Sequence, residues 1–240
     1  MNVLVIVPTY NERENIEALI HAVSKAGSPD AISLLVVDDN SPDGTAGVVR
    51  KLMEDPSVCG RLFLLNREKK NGLAGAYVAG LSWGLQREFD LLVEMDADLS
   101  HDPTYLPLLI EESRRFDFVI GSRYVKGGGV EDWGVLRGLV SRGGSLFSRV
   151  VLGLGIRDLT GGFNAWNRRV FRKVDLAEIL STGYCFQIEL KYRAALNGCS
   201  WVEVPILFKD RVYGLSKMSG GIALEALRNV LVLRRRVAHG

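Results

Sequence analysis

Residues 91–98 read Leu-Leu-Val-Glu-Met-Asp-Ala-Asp, an apolar run that ends in two aspartates. Four similar apolar runs occur in the first half of the chain. The five runs together predict strands at 3–7, 32–37, 62–65, 91–95 and 116–120. Stretches of helical length lie between them, at 12–25, 43–54, 72–87 and 103–115. Short apolar strands that alternate with helices are typical of a parallel sheet covered on both faces. The sequence therefore predicts an α/β fold with a mostly parallel sheet flanked by helices.

Polar clusters stand directly after four of these predicted strands. They are Pro8-Thr-Tyr-Asn-Glu12, Asp38-Asp39, Asp96-Ala-Asp98 and Gly121-Ser-Arg123. In a parallel sheet these positions meet at one edge, and ligands collect at the carboxyl ends of the strands. We therefore expect the binding site at this edge of the sheet.

Asp96 and Asp98 are candidate metal ligands. Two carboxylates two positions apart can converge on a hard cation where the backbone turns after a strand, and Mg²⁺ or Mn²⁺ held in this way keeps positions open for substrate phosphates. A cation at this position would neutralise a departing diphosphate. The alternative is a solvated turn with acidic side chains, which is the commoner meaning of an isolated Asp-x-Asp.

The segment 38–44, Asp-Asp-Asn-Ser-Pro-Asp-Gly, is rich in residues that form turns and helix caps. Asp39 could instead accept a hydrogen bond from a base or a ribose hydroxyl, and the two roles are compatible. Tyr10 can stack on a base and Glu12 can accept a hydrogen bond. The alternative for Asn11 and Glu12 is that they only begin a helix.

The two halves of the chain differ in charge. Residues 1–120 carry 11 Lys/Arg against 19 Asp/Glu, whereas residues 121–240 carry 19 against 9. An acidic half suits a bound cation, and a basic half suits phosphate, anionic lipid or nucleic acid.

Four basic residues of the second half stand out by their settings. Arg123 ends a buried strand, Arg137 shares a predicted helix face with Ser141, and Arg211 and Lys217 flank a loop that contains glycine. The guanidinium group of an arginine can donate two parallel hydrogen bonds to two oxygens of one phosphate. A solvated surface charge is the alternative for each residue taken alone.

The second half is less regular than the first. It contains a predicted mobile loop at 127–129, helices around 137–154, 184–197 and 219–236, and a strand around 201–208. The first helix is amphipathic, with serines on one side and leucine, phenylalanine and valine on the other. The last ends in Arg234-Arg235-Arg236, which either attract an anionic membrane leaflet or belong to a basic helix packed on the core.

The absence of several motifs counts against some classes of protein. No G-x-G-x-x-G follows the first strand and no G-x-x-x-x-G-K-[ST] occurs, which counts against dinucleotide oxidoreductases and P-loop enzymes. The three histidines and three cysteines are too scattered for a zinc site, a catalytic triad or a disulfide framework. No window is apolar over a length that spans a bilayer, and no linker divides the chain. We therefore expect one domain over 1–240.

Taken together, the motifs resemble the dolichol-phosphate mannose synthase branch of glycosyltransferase family 2. The resemblance rests on VPTYNERENI (7–16), VVDDNSPDGT (36–45), EMDADLSHDP (94–103), IGSRYVKGGGVEDW (120–133), TGGFNAW (160–166) and the 211–217 loop. It implies a GT-A, Rossmann-like fold with C-terminal amphipathic helices. Residues 1–120 would bind nucleotide-sugar and metal, and residues 121–240 would bind the acceptor.

The resemblance also implies roles for individual residues. The nucleoside would be held by Pro8, Tyr10, Glu12, Val37 and Asp39. Nucleotide-sugar and metal would be bound by Asp96, Ala97 and Asp98. The acceptor phosphate would meet Arg123, Arg137 and Ser141, while Arg211 and Lys217 would close over the donor diphosphate. Arg123 is also expected among the residues that bind the nucleotide-sugar. Asp98 and Arg123 are the expected catalytic residues.

Two positions depart from the family pattern. Some relatives place Gln two positions after the second aspartate and use it at the metal, whereas this chain has Ser100. The family often has Ser-Gly-Phe where this chain has Gly161-Gly162-Phe163. A metal ligand at Ser100 and the role of the 161–163 loop are therefore open.

The activity that the resemblance implies is transfer of mannose from GDP-mannose to a polyprenyl phosphate, with inversion and with Mg²⁺ or Mn²⁺ as cofactor. The alternative in the same class is a family 2 transferase that places glucose or another sugar from a UDP-sugar on undecaprenyl phosphate. We expect a cytoplasmic protein that is peripheral at the cytoplasmic face of a membrane. Some relatives without a span rely on a separate membrane protein, which allows such a partner here.

Two other classes explain less of the sequence. A nucleic-acid-binding module would use the basic half but leaves the strand-end acids unexplained and lacks aromatic residues interleaved with basic ones. A sugar-nucleotide sensor without catalysis is disfavoured by the intact Asp96 and Asp98. We therefore expect no nucleic-acid partner.

Overall fold

A computed structural model describes residues 1–26, 31–56, 58, 60–131, 135–181, 183, 185–210 and 220–237, and at 135–137, 220–227 and 237 only the backbone. The strands are β1 Asn2–Thr9, β2 Ala31–Asp38, β3 Leu62–Asn66, β4 Leu91–Glu94, β5 Phe118–Ser122, β6 Gly129–Val130, β7 Asn164–Asn167, β8 Trp201–Pro205 and β9 Leu207–Phe208. The α-helices are α1 Ile16–Lys25, α2 Thr45–Leu52, α3 Gly72–Gln86, α4 Leu106–Glu112, α5 Val135–Leu152, α6 Cys185–Leu196 and α7 Gly220–Val237. Short 3₁₀ helices cover Pro103–Tyr105, Arg168–Arg172 and Leu176–Glu178.

Seven strands form the main sheet in the order β3-β2-β1-β4-β7-β5-β8. β7 runs antiparallel between β4 and β5, and the other neighbouring pairs are parallel. A second, two-stranded parallel sheet joins β6 to β9. The predicted α/β fold with a mostly parallel sheet flanked by helices is confirmed.

β1 shows why the strands read as continuous apolar runs. Its Val3, Val5 and Val7 pack into the hydrophobic cluster on one face of the sheet, while Leu4 and Ile6 pack into the cluster on the other. A strand with helices on both sides buries both of its faces. All five of these side chains are fully buried.

The structure corrects two expectations about the second half and adds one strand that was not predicted. The segment 201–208 is divided between β8 and β9 and is not one strand. Gly129 is not part of a mobile loop but begins β6, where its amide donates to the carbonyl of Ile206 at 3.0 Å. β7 was not predicted as a strand, because it is four residues long and begins and ends with asparagine.

Among the described residues, no helix combines the length and the apolar character that a bilayer crossing needs.

Candidate functional site

The loops after β1 and β2 are hydrogen-bonded to each other at the carboxyl edge of the sheet. The amide of Asn11 donates to Ser41 Oγ at 3.0 Å, and the amide of Glu12 donates to Thr45 Oγ1 at 3.1 Å. Asn11 has a positive φ of 60°, which turns the chain out of β1. The two polar clusters predicted to meet at this edge are therefore joined in one wall.

Asp38 holds this wall together. Its buried carboxylate accepts from Thr9 Oγ1 at 2.9 Å, from the Ser41 amide at 2.9 Å and from Ser41 Oγ at 2.6 Å. Because its donors belong to the end of β1 and to the turn after β2, this buried carboxylate stabilises the backbone turn. Of the two adjacent aspartates, Asp38 has the turn-forming role.

Asp39 faces β3. Arg67, directly after β3, donates from Nη1 to Asp39 Oδ1 at 2.6 Å, and the amide of Asn71 donates to Oδ2 at 3.1 Å. Arg67 was not predicted as a site residue, although its position at the carboxyl end of a strand could have indicated it. The pair fixes the Asp39 carboxylate in one orientation at the edge of the sheet.

The remaining predicted nucleoside residues lie at the same edge with different exposure. Tyr10 is partly exposed, and Lys70 Nζ lies 3.7 Å from the centroid of its ring. Glu12 Oε2 accepts from Asn15 Nδ2 at 2.8 Å. Val37 is buried in the core, as is Ala97 of the predicted nucleotide-sugar and metal site, so only the backbone groups of these two residues can face a ligand.

Asp96 and Asp98 follow β4, as predicted. The Asp96 side chain is 35% exposed, and Tyr77 donates from its hydroxyl to Asp96 Oδ1 at 3.0 Å. Asp98 is more buried, and its Oδ1 accepts from the Ser100 amide at 3.2 Å. Leu99 has a positive φ of 62°, so the backbone turns between the aspartates and Ser100. The turn that convergence of the two carboxylates requires is present.

His101 positions the backbone of Asp96. The amide of Asp96 donates to His101 Nδ1 at 3.0 Å, which requires the neutral ring with its proton on Nε2. Burial lowers the pKa of His101, although nearby Asp96 and Asp98 oppose this. Its ring stacks on Phe163 with centroids 5.0 Å apart. His101 is therefore a positioning residue, and its Nδ1 is not open to a metal.

Tyr77 is a neutral donor to Asp96. Its ring is fully buried, and burial raises the pKa of Tyr77 well above the usual value, with the charge of Asp96 acting in the same direction. The hydroxyl therefore keeps its proton across the physiological range and holds one Asp96 oxygen in place.

The residues at the end of β4 fit a hard divalent cation. Their oxygens are the ligands that Mg²⁺ and Mn²⁺ prefer, and such sites typically combine one or two carboxylates with water and substrate phosphate. Among the described residues, no group of three His, Cys, Asp or Glu could hold a metal by itself. Ser100 is buried and contributes its amide to Asp98. A cation at Asp96 and Asp98 would therefore complete its coordination with non-protein oxygens.

The 161–163 loop lies opposite Asp96. A Cβ built on Gly162 would lie 3.7 Å from both carboxylate oxygens of Asp96 and 3.6 Å from His101 Cε1. Gly162 thus keeps the space beside the Asp96 carboxylate open. The 161–163 loop, whose role the departure from the family pattern left open, thus lies against the Asp96 carboxylate.

Arg123 is paired inside the protein. Its Nε and Nη2 donate to Asp158 at 2.8 and 2.7 Å, and Nη2 also donates to Thr160 Oγ1 at 2.9 Å. Burial alone would raise the pKa of Asp158, but the Arg123 guanidinium prevails and lowers it to about 2. Arg123 was predicted to bind phosphate, and its partner Asp158, which lies 35 residues further along the chain, was not predicted.

A buried lysine fixes the same loop. Lys191 on α6 is fully buried and donates from Nζ to the carbonyls of Gly161 at 2.7 Å, Asp158 at 3.2 Å and Leu159 at 3.2 Å. Burial lowers the pKa of Lys191 to about 8. Helix α6 was predicted without a functional residue, because no local sequence pattern shows that Lys191 points inward.

Glu94, two residues before Asp96, is also buried. Its Oε2 accepts from Trp166 Nε1 at 2.9 Å and from Asn164 Nδ2 at 3.2 Å, both on β7. Burial raises the pKa of Glu94 to about 7, against the effect of these hydrogen bonds. Of the two asparagines at the ends of β7, Asn164 is thus paired with an acid on β4, whereas Asn167 donates to the carbonyls of Ser113 and Phe116.

The structure describes only some of the predicted acceptor and diphosphate residues. Tyr124 donates from its hydroxyl to Ser141 Oγ at 2.6 Å, which brings Ser141 on α5 next to the end of β5. Arg137 lies on α5, but its side chain is outside the described residues. Arg211 and Lys217 also lie outside the described residues.

The chain is similar to known proteins in sequence and in fold. The sequence profile of the family described as Glycosyl transferase family 2 matches residues 4–175. Polyprenol monophosphomannose synthase of Mycolicibacterium smegmatis is 48% identical over 229 residues, which are 95% of this chain and 84% of that protein. Undecaprenyl-phosphate mannosyltransferase of Micrococcus luteus is 48% identical over 96% of this chain and 93% of its own.

Solved structures with the same fold include glucosyl-3-phosphoglycerate synthase from Mycobacterium tuberculosis. Its complex with phosphoglyceric acid has a TM-score of 0.71 at 19% identity and covers 98% of this chain and 80% of that one. Its complex with Mn²⁺, UDP and glucosyl-3-phosphoglycerate has a TM-score of 0.66 and covers 97% and 78%. The fold agrees with the GT-A expectation, and the profile match together with the two relatives shows that the chain belongs to glycosyltransferase family 2.

Proposed function

We propose that this protein transfers mannose from GDP-mannose to a polyprenyl phosphate with inversion at the anomeric carbon, giving polyprenyl-phosphate-mannose. Two relatives at 48% identity, whose names are polyprenol monophosphomannose synthase and undecaprenyl-phosphate mannosyltransferase, support this reaction. The observation that carries the proposal is the pair Asp96 and Asp98, held at the end of β4 opposite the loop that Asp158 and Lys191 fix.

The donor nucleoside would lie against the wall formed by the loops after β1 and β2. Tyr10 and Glu12 offer a ring and a carboxylate, Asp39 offers an oriented carboxylate, and Pro8 and Val37 shape the floor. Arg67 restricts Asp39 to one direction, which favours a donor that presents its hydroxyl or base N–H from that side. We propose that the base of the donor nucleotide is guanine and not uracil.

The diphosphate of the donor would lie beside Asp96, Ala97 and Asp98. Mg²⁺ or Mn²⁺ bound there would neutralise the charge that develops on the leaving diphosphate. Tyr77 and His101 hold Asp96, and the Ser100 amide holds Asp98, so the two carboxylates are preorganised. Arg211 and Lys217 would close over the diphosphate, a prediction that lies outside the described residues.

The acceptor needs little activation. A phosphate monoester has its second pKa near 6, so it is mostly dianionic at neutral pH and can attack without a strong base. Bringing two anions to one carbon is the larger difficulty, and positioning is where the protein contributes. Arg123, Arg137 and Ser141 would bind the acceptor phosphate, with Arg123 oriented by Asp158 and Ser141 by Tyr124.

Arg137 provides a test of this acceptor site. Arg137→Ala should raise the KM for polyprenyl phosphate and leave the KM for the nucleotide-sugar nearly unchanged. Unchanged kinetics for both substrates would remove Arg137 from the acceptor site.

A polyprenyl chain stays in the bilayer, so the protein must reach a membrane surface. We propose peripheral attachment at the cytoplasmic face, in one catalytic domain over 1–240, with a separate membrane protein as an optional partner. Because the substrates account for the basic half of the chain, no nucleic-acid partner is proposed.

The decisive experiment is incubation with a panel of radiolabelled nucleotide-sugars and polyprenyl phosphate, with and without Mn²⁺ or Mg²⁺. Labelled lipid from GDP-mannose alone, dependent on the metal, supports the proposal. Labelled lipid from UDP-glucose would instead support the runner-up, a UDP-sugar transferase acting on undecaprenyl phosphate. No labelled lipid from any donor would reject lipid-phosphate transfer.

A further inference from the structure

Gly162 is the residue of the 161–163 loop that lies open to the candidate site. Its neighbours Gly161 and Phe163 are buried, whereas Gly162 is partly exposed. The Asp96 side chain, 35% exposed, lies across the same space, since a Cβ built on Gly162 would lie 3.7 Å from both of its carboxylate oxygens. A ligand on the exposed part of Asp96 therefore has the backbone of Gly162 beside it.

The fold itself does not require glycine at position 162. The φ angle of Gly162 lies outside the left-handed region, so an L-residue can adopt its backbone conformation. The nearest described atom to an added Cβ is His101 Cε1 at 3.6 Å, which is an ordinary van der Waals contact. Gly161 differs, because a Cβ there would lie only 3.2 Å from the carboxylate of Asp158. Glycine also serves where a ligand approaches the backbone closely, and this is the reason that fits Gly162.

The backbone is fixed on the side that precedes Gly162. The amide of Gly161 donates to Asp158 Oδ1 at 2.9 Å. The carbonyl of Gly161 accepts from Lys191 Nζ at 2.7 Å and from Asn164 Nδ2 at 3.1 Å. All three partners are fully buried. The loop therefore cannot shift on this side without breaking several buried hydrogen bonds.

The backbone is fixed on the other side as well. The carbonyl of Phe163 accepts from the amide of Gly121 in β5 at 2.8 Å. The ring of Phe163 stacks on His101, whose Nδ1 accepts from the amide of Asp96. A side chain added at Gly162 would therefore remain in the space beside Asp96 and could not be relieved by displacement of the loop.

Gly162 lies between the two proposed phosphate positions. The donor diphosphate is proposed to lie at Asp96, and the acceptor phosphate at Arg123. Asp158 binds both the Arg123 guanidinium and the Gly161 amide, and Gly162 follows directly in the chain. In an in-line displacement, the group between the leaving diphosphate and the attacking phosphate is the transferred sugar. The space in front of Gly162 is thus where that sugar is expected.

We propose that Gly162 is a specificity-determining residue that provides the space for the sugar of the donor. A side chain at this position excludes the sugar but leaves room for the nucleoside diphosphate. The inference rests on the proposed function in one respect, the binding of a nucleotide-sugar through its diphosphate at Asp96. It does not depend on which base or which sugar the donor carries.

The test compares binding of a donor with binding of the same nucleotide without its sugar. Isothermal titration calorimetry of the full chain in the presence of Mn²⁺ measures the dissociation constants of GDP and GDP-mannose. Gly162→Ala should raise the dissociation constant of GDP-mannose about tenfold, and Gly162→Val about a hundredfold, because a pocket discriminates by this order for each added carbon. The dissociation constant of GDP should stay that of the wild type in both variants.

Gly155→Ala is the matched control. A Cβ on Gly155 would lie 3.8 Å from Trp201 Cζ2, again an ordinary contact, and its φ is also outside the left-handed region. This variant should bind GDP and GDP-mannose as the wild type does. Because both added methyl groups meet only ordinary contacts, Gly162→Ala and Gly155→Ala should melt at the wild-type temperature. A loss of binding in Gly162→Ala alone is then not an effect of unfolding.

UDP and UDP-glucose, titrated into the same variants, separate this inference from the proposed function. Wild-type protein that binds UDP-glucose and not GDP-mannose would reject the proposed donor. In that case a loss confined to UDP-glucose in Gly162→Ala, with UDP binding unchanged, would still support the role of Gly162.

Two outcomes would overturn the inference. The first is a Gly162→Val protein that binds the nucleotide-sugar as tightly as the wild type does, which would mean that the sugar lies elsewhere. The second is an equal loss of nucleoside diphosphate and nucleotide-sugar in Gly162→Ala, which would assign the space beside Asp96 to the metal or the diphosphate.

Discussion

Arg123 and Asp158 form a two-pronged ion pair in the interior, with Nη2 2.7 Å from Oδ1 and Nε 2.8 Å from Oδ2. The same carboxylate accepts from the Arg123 amide at 3.0 Å and from the Gly161 amide at 2.9 Å. Asp158 therefore joins the end of β5 to the loop that faces Asp96. One buried residue links the expected acceptor side of the site to the expected donor side.

Loss of this carboxylate should destabilise the fold strongly. Asp158→Asn leaves the Arg123 guanidinium buried without its counter-charge, and breaking a buried pair from one side typically costs about 3–5 kcal/mol. The free energy of unfolding from urea denaturation measures this. Glu111→Gln, which removes a pair with Arg114 at the surface, is the matched control and should cost less than about 1 kcal/mol. Equal losses in the two variants would show that the buried pair contributes nothing beyond a surface pair.

The first half of the fold could be predicted because its signals are local. β1, β2 and β4 are apolar runs whose polar ends mark the carboxyl edge of the sheet, and the structure places Thr9, Asp38 and Asp96 there. A parallel sheet buries both strand faces, so composition alone identifies its strands. The end of each strand then locates the site.

The parts that the sequence did not reveal depend on contacts between distant residues. β7 is a strand because Asn164 pairs with Glu94, 70 residues earlier, and Asn167 binds the carbonyl of Ser113, 54 residues earlier. Lys191 is buried because three carbonyls of another segment receive its ammonium group. No local pattern distinguishes such residues from solvated ones.

Asp98 should be essential for transfer. Asp98→Ala removes a carboxylate from the expected metal site, where charge neutralisation is worth several kcal/mol, so initial rates should fall by about a thousandfold. The measurement is labelled polyprenyl-phosphate sugar formed per minute at saturating Mn²⁺. Asp175→Asn, at an exposed 3₁₀ helix cap, should keep the wild-type rate. Near-normal, metal-dependent activity of Asp98→Ala would reject the assignment.

Asp39 should act on donor binding. Asp39→Asn keeps the shape of the side chain but removes the charge that pairs with Arg67, so the KM for the nucleotide-sugar should rise while the acceptor KM stays the same. A charged hydrogen bond contributes about 1.5–3 kcal/mol, which predicts a rise of about tenfold to a hundredfold. Steady-state kinetics with each substrate varied in turn checks this. A change confined to the acceptor KM would contradict the role.

Lys191 should give the protein a characteristic alkaline stability. Its pKa is about 8 in the folded protein against a usual value of 10.5, so between these pH values the unfolded chain holds one more proton than the folded chain. Stability therefore rises with pH in this window, by up to about 1.4 kcal/mol per pH unit from this group. Urea denaturation of wild type and Lys191→Met from pH 7 to about pH 10 isolates this contribution. Parallel curves for the two proteins would show that the lysine does not titrate in this range.

Gly128 should tolerate no side chain, because the loop before β6 runs against the end of β5. A Cβ at this position would collide with the carbonyl oxygen of Ser122 and lie 3.1 Å from the backbone carbon of Arg123. Gly128→Ala should therefore cost about 1–3 kcal/mol, as overpacking typically does.

Gly143→Ala is the control for that substitution. Gly143 lies on α5 with nothing within 4 Å of an added Cβ, so alanine there should stabilise the helix by about 0.5–1 kcal/mol. Thermal melts of the two variants should then shift in opposite directions. Because Gly128 contacts the backbone of Arg123, its variant should also lose transfer activity at temperatures where it remains folded. A Gly128→Ala protein with unchanged melting and unchanged activity would mean that the loop moves away freely and does not support Arg123.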